Sequence, residues 1–201
     1  MFLAALVPAA LLLGGALGVG PRQLGADPVR ALLHSCGITA LNLLLITLLV
    51  TPLRQLTGLP QLQRLRRMLG LFAFFYAVLH VTVYAWLDQG LDFTAIGADI
   101  VKRPYITIGA LALLMLLPLA MTSTNAMMRR LRKRWQMLHT LIYPIAILGV
   151  WHFWWQVKKD IREPLLYAAM LAVLLGYRVL RGPVRRWLTS RSGSATAPER
   201  T

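Results

Sequence analysis

Apolar residues arrive along this chain in long, nearly unbroken runs, not in the period-2 alternation or narrow 3.6-residue stripe of half-buried strands and helices. A helix needs about 20 mostly apolar residues to cross ~30 Å of hydrocarbon. Six stretches meet that requirement: residues 2–19, 28–52, 68–87, 104–122, 137–157 and 164–180. Asp27 before Pro28 is an N-cap and N1 pair opening the second. Pro104 opens the fourth, and Pro144 predicts a kink in the fifth. A cleavable signal peptide is the rival reading of the first, weakened by the lack of basic residues before Leu3. The predicted fold is all-α and integral to a membrane: a six-transmembrane-helix bundle over residues 1–181. Residues 182–201 form a basic, then Ser/Gly/Ala-rich tail expected to be disordered. The sequence shows no internal repeat.

Charge gives the bundle an orientation. Charged residues make up 14% of the chain, against about 25% in a soluble domain, and they gather between the runs. Of the 22 Lys and Arg, 15 fall after the second and fourth stretches or at and beyond the end of the sixth, and six of the seven acids lie on the opposite side. The positive-inside rule places the basic set, and with it both termini, in the cytoplasm. The same rule accounts for the net charge of +15 without nucleic acid. The basic segments 54–67 and 129–135 are additional candidates for a flavin phosphate or an anionic lipid. A single cysteine, Cys36, excludes an internal disulfide, a Cys-ligated iron–sulfur cluster and covalent c-type haem.

The candidate chemistry is four histidines, His34, His80, His139 and His152, within or at the edge of apolar runs. Neutral imidazole is the commonest metal ligand, and ionisable groups inside spans are usually functional. With almost no carboxylate beside them, these imidazoles point to axial ligation of a non-covalently held b-type haem, one or two per chain. At 1.5 Å per residue His139 lies ~3 Å from the inner end of its span, His152 ~22 Å along the same span and His80 ~18 Å along its own. His34, His80 and His152 therefore form an outer group. His80 with His152 is the best-matched axial pair and His34 with His152 the next. His34 is otherwise a donor to a propionate or a contact for an outer partner. His139 stands alone on the inner side, where the position is empty of haem, five-coordinate, or completed by an unusual ligand such as Met68, with Arg66 suited only to propionates. His139 and His152 are 13 positions apart, about 140° around an ideal helix, so a distortion at Pro144 would be needed for them to share a face. Each histidine also has a plain structural reading as an interfacial or hydrogen-bonded side chain. Trp86, Trp151, Trp154 and Trp155 read as an interfacial belt. Tyr76, Tyr84 and Tyr143, four residues from a histidine, read as ring-orienting or packing groups.

The run Trp135-Gln-Met-Leu-His139-Thr-Leu-Ile-Tyr143, followed by His152, resembles the W-x-x-L-H-x-L-x-Y…H pattern of the ferric reductase-like transmembrane superfamily. More narrowly, the chain is similar to the MsrQ family of haem-binding membrane subunits. The matching segments are Asp27-Pro-Val-Arg with His34, Leu49-Val-Thr-Pro-Leu-Arg54, Arg66-Arg-Met-Leu-Gly70, Tyr76 to His80 to Tyr84, Lys102-Arg-Pro-Tyr-Ile106 and Pro118-Leu-Ala-Met-Thr-Ser123. The resemblance covers about residues 25–181. It implies a multi-pass b-type cytochrome of the bacterial inner membrane that carries electrons and performs no substrate chemistry itself. The donor would be membrane quinol or a separate flavin reductase. The acceptor would be a periplasmic MsrP-type molybdopterin subunit that reduces methionine sulfoxide in oxidised proteins. The haem-ligand positions carried over are His80, His139 and His152, and FMN is an associated cofactor with no identifiable residues here. A G-x-G-x-x-G fingerprint is absent, so NADPH is not expected to bind by that route. The superfamily's second histidine on the third span is also missing. The rival functions are a quinone-linked cytochrome b subunit for another partner and a histidine-relay transporter.

Reporter fusions test the orientation. A fluorescent protein joined after Arg134 is expected to fluoresce and alkaline phosphatase there to be inactive, with the reverse at Asp92. The opposite pattern would invert the assignment.

Overall fold

The computed structural model describes residues 2–16, 25–157 and 160–193. Within them the chain is helical throughout, with no strand: α1 (Phe2–Ala16), α2 (Pro28–Thr57), α3 (Leu62–Val83), α4 (Phe93–Lys102), α5 (Pro104–Met121), α6 (Asn125–Leu131), α7 (Lys133–His139), α8 (Ile142–Gln156) and α9 (Arg162–Gly193). Five helical stretches are long and apolar enough to cross a membrane: Pro28–Thr57, Leu62–Asp88, Pro104–Met121, Lys133–Gln156 and Arg162–Leu180. α1, at 15 residues, spans about 22 Å, short of the hydrocarbon thickness. The expected end of the first span, 17–19, falls outside the described residues, as do Arg22, Lys158, Lys159 and the last eight residues of the tail.

The core is built from α2, α5 and α8. Leu41, Leu44, Leu45 and Leu48 meet Leu116 and Leu119 and, from α8, Ile145, Ala146, Val150 and Phe153, with Ala73 of α3 and Leu171 of α9 closing the cluster. The most extensive pairings are α2 with α3 and α5 with α8. Outward-facing Leu114 and Val173, 65% and 71% exposed, suit lipid rather than water.

Prolines shape the helices in ways their positions alone do not reveal. The sequence ends the second span at Pro52, yet α2 continues to Thr57, where Gly58 (φ 71°) caps it by donating to the Arg54 carbonyl. Pro52 has no N–H for the Leu48 carbonyl, and Arg178 of α9 donates to that oxygen instead, at 2.9 Å. Pro144 likewise cannot donate to the carbonyl of Thr140. The chain breaks there: α7 ends at His139, α8 begins at Ile142, and tighter three-residue hydrogen bonds (Leu141 N to Leu138 O, Tyr143 N to Thr140 O, both 3.1 Å) bridge the gap. The expected kink is thus a two-residue break four positions before its proline.

Three expectations are corrected. The third span starts six residues early, at Leu62, and ends in a π-helical turn, Tyr84–Asp88. The outer loop 88–103 contains α4, N-capped by the Asp92 carboxylate accepting from Thr94 and Ala95. The tail is helical as far as Gly193, because α9 runs past its apolar segment instead of giving way to a disordered chain at 182.

α1 is held by one polar contact. The Tyr76 hydroxyl donates to the Ala5 carbonyl (2.7 Å) and accepts from the Ala9 amide (3.0 Å), two groups that pair with each other in a regular helix. Tyr76 itself is fully buried. Tyr76→Phe removes both bonds and is expected to destabilise the purified protein by about 1 kcal/mol, roughly what an interhelical hydrogen bond contributes in a membrane. Thermal unfolding in detergent measures it, and an unchanged midpoint would contradict this docking.

Candidate functional site

Three of the four histidines converge at one end of the bundle, where α2 and α5 begin and α3 and α8 end. The His80 and His152 rings have centroids 6.1 Å apart and planes at 85°. His34, exposed on the first turns of α2, lies 6.2 Å from the Phe153 ring of α8, at the edge of this pair. The pairing favoured by depth is therefore the pairing present in space, with His34 peripheral to it.

Each paired ring is anchored by its Nδ1. His80 Nδ1 donates to the Leu33 carbonyl of α2 at 2.9 Å, and His152 Nδ1 donates to the Tyr105 carbonyl of α5 at 2.6 Å. These bonds fix the tautomer and leave Nε2 as the free, unprotonated nitrogen, the arrangement that histidine ligands adopt toward metals. Each ring also packs closely against a glycine. A Cβ on Gly37 would stand 3.1 Å from His80 Nδ1, and one on Gly109 would stand 2.8 Å from His152 Nδ1.

Around the pair, a polar strap joins the same end of the bundle. The Tyr84 hydroxyl donates to Asp99 Oδ2 (3.0 Å), and Arg103 pairs with Asp99 Oδ1 (3.1 Å). The strap ties the π-helical end of α3 through α4 to the start of α5, two residues before the carbonyl that holds His152. Tyr84 therefore serves the strap, Tyr76 serves α1, and Tyr143 lies under the Arg178 guanidinium at 5.0 Å. Trp86, Trp151 and Trp155 are about half exposed or more, as a belt requires.

His139 is apart. Its ring stacks on Trp135 (centroids 3.9 Å, 27°), its Nδ1 donates to the Trp135 carbonyl at 3.1 Å, and the Trp135 indole N–H donates to the Thr122 carbonyl (2.9 Å). It lies thirteen positions before His152, across the break between α7 and α8. No second imidazole meets it among the described residues.

Two imidazoles suffice only for a metal that brings most of its own ligands. Among the described residues no cluster of three or more His, Cys, Asp or Glu is placed to hold a bare ion. Imidazoles on opposite sides of one metal, at about 2 Å per bond and about 1 Å from nitrogen to ring centre, have centroids about 6 Å apart. The observed separation of 6.1 Å is in that range, so His80 and His152 would be able to hold a metal macrocycle between them. Sequence reasoning found these two histidines and missed what seats them. Leu33 and Tyr105 act through carbonyls, which every residue has. The only signal for Gly37 and Gly109 was a small residue inside an apolar helix.

The chain matches the family described as the ferric reductase like transmembrane component over residues 36–150, which includes both ring anchors' glycines and His80 and stops just short of His152. It is 59% identical over 172 residues to the protein-methionine-sulfoxide reductase heme-binding subunit MsrQ of Xanthomonas campestris, covering 86% of this chain and 79% of that one. The protein of the same name from Xanthomonas oryzae is 55% identical over 182 residues, 90% of this chain and 84% of its relative. That of Azospira oryzae is 50% identical over 205 residues, 98% of this chain and 85% of its relative. The chain belongs to the ferric reductase-like transmembrane family and, within it, to the MsrQ proteins.

Proposed function

We propose that this protein is a b-type haem electron-transfer subunit of the inner membrane, carrying electrons from the quinone pool to a periplasmic MsrP-type molybdopterin methionine sulfoxide reductase that repairs oxidised proteins. The observation that carries this reading is the His80–His152 pair: neighbouring imidazoles with centroids 6.1 Å apart, each with Nδ1 tied to a carbonyl and Nε2 free. The relatives' name supplies haem and the sulfoxide reductase. The family resemblance supplies the MsrP-type partner, the quinol or separate flavin-reductase donor, and FMN. Charge asymmetry supports six spans with both termini in the cytoplasm.

In this reading His80 and His152 would hold the haem iron, and the haem would supply one-electron redox chemistry when bound. The chain's own contribution is to fix the ring tautomers, exclude water with the apolar faces of α2, α3, α5 and α8, and set the low dielectric that tunes the potential. His139 is the only imidazole placed for a second, inner position. His34, exposed beside the pair, is a contact for propionate or partner rather than an axial ligand.

Single variants test the assignment. In detergent-purified protein, pyridine haemochrome and reduced-minus-oxidised spectra are expected to show a b-type signal. His80→Ala or His152→Ala should abolish its six-coordinate low-spin form, while His34→Ala and His139→Ala retain it. An unchanged low-spin spectrum in His152→Ala would remove that residue from the iron, and a colourless wild type, purified after haem supplementation, would end the reading.

A further inference from the structure

The two ring anchors are copies of one device. His80 of α3 bonds the carbonyl of residue 33 in α2, and His152 of α8 bonds the carbonyl of residue 105 in α5, each across the same 47-residue separation. In both cases the glycine under the ring, Gly37 or Gly109, lies four residues after the accepting carbonyl. A repeat that hydropathy and composition do not reveal is thus present in the geometry, in the two most extensive helix pairings of the fold.

The spacing has a physical reason. In a helix the carbonyl of residue i accepts the N–H of residue i+4, which leaves one lone pair unused. Side chains tilt toward the helix N-terminus, so the side chain at i+4 lies over that oxygen. With no Cβ at i+4, an imidazole from the neighbouring helix can lie against the backbone and donate Nδ1–H to the second lone pair. General helix packing does not explain these glycines. A Cβ on Gly149 would meet only Leu41 Cδ1 at 3.5 Å, an ordinary contact, and one on Gly70, Gly97 or Gly176 would meet nothing within 4 Å.

The geometry points to Gly37 and Gly109 as positioning residues for the two axial imidazoles, each opening the carbonyl four residues earlier so that it fixes the ring's orientation and tautomer. This rests on the haem reading above and adds to it a means of tuning. A carbonyl bonded to Nδ1–H makes the imidazole a stronger donor through Nε2, which favours oxidised iron and lowers its potential. The His152 side is the tighter, both in its hydrogen bond (2.6 against 2.9 Å) and in the distance at which a Cβ on its glycine would meet the ring (2.8 against 3.1 Å).

A glycine-to-alanine series on the full-length haem protein tests this, read by paramagnetic resonance of the oxidised form, potentiometric titration and haem retention against an apomyoglobin trap. Alanine is the better helix former, so helix propensity does not oppose any of these variants. Gly109→Ala is expected to move the low-spin resonance, raise the midpoint potential and weaken haem retention by about 10- to 100-fold, as loss of a ligand's outer hydrogen bond does. Gly37→Ala should change all three in the same direction by less, since His80 need yield only a few tenths of an ångström. Gly70→Ala, Gly149→Ala and Gly176→Ala should match wild type. If Gly109→Ala retains no haem while Gly149→Ala does, the proposal is supported, and Gly37→Ala supplies the graded shift. Wild-type resonance and potential in both Gly37→Ala and Gly109→Ala would overturn it, as would equal perturbation by Gly149→Ala. A wild type that binds no haem would instead overturn the reading on which it rests.

Discussion

In a bundle bathed by lipid, no water is at hand for an N–H or C=O that the helix ladder leaves unpaired, and each such group costs several kcal/mol. The polar architecture of this protein answers that constraint. The Leu48 carbonyl, deprived of a donor by Pro52, takes one from Arg178. The groups freed around Pro144 are taken up by short-range bonds between α7 and α8. Imidazole N–H groups meet the same requirement at Leu33 and Tyr105. That solution satisfies a donor and also leaves one ring nitrogen with a free lone pair.

The histidine pair therefore combines two roles in one arrangement. The hydrogen bonds that make buried imidazoles tolerable in an apolar core also leave Nε2 free, as the proposed haem ligation requires. The glycines beneath them allow the helices to approach closely enough for those bonds to form. The strap of Tyr84, Asp99 and Arg103 holds the start of α5 against the end of α3, so the carbonyl end of the device is no freer to drift than the ring end.

The sequence was most informative where one variable decides the outcome. Run length located the five long helices, and rise per residue placed His80 opposite His152. It was less informative where a partner from another helix decides. Pro52 reads as a helix end from local rules, and only Arg178, 130 residues away, explains why α2 continues. Pro144 was identified as the distortion, but its consequence fell at Thr140 and Leu141, because a proline acts on the carbonyl four residues before it. α4 has its capping aspartate, Asp92, in plain view, yet its ten residues lie between two apolar runs and carry no membrane-span signal. Leu33 and Tyr105 were not legible, since their part is played by the main chain. The pairing of each with a glycine four residues on becomes a pattern only after the rings are seen to lie there.

The bond between Arg178 and the Leu48 carbonyl joins the second helix to the last. α2 precedes α9 in synthesis, so the carbonyl that Pro52 leaves without its ladder donor waits 130 residues for the guanidinium that bonds it. The contact therefore ties a helix made early to one made late, and it can form only once α9 has taken its place beside α2.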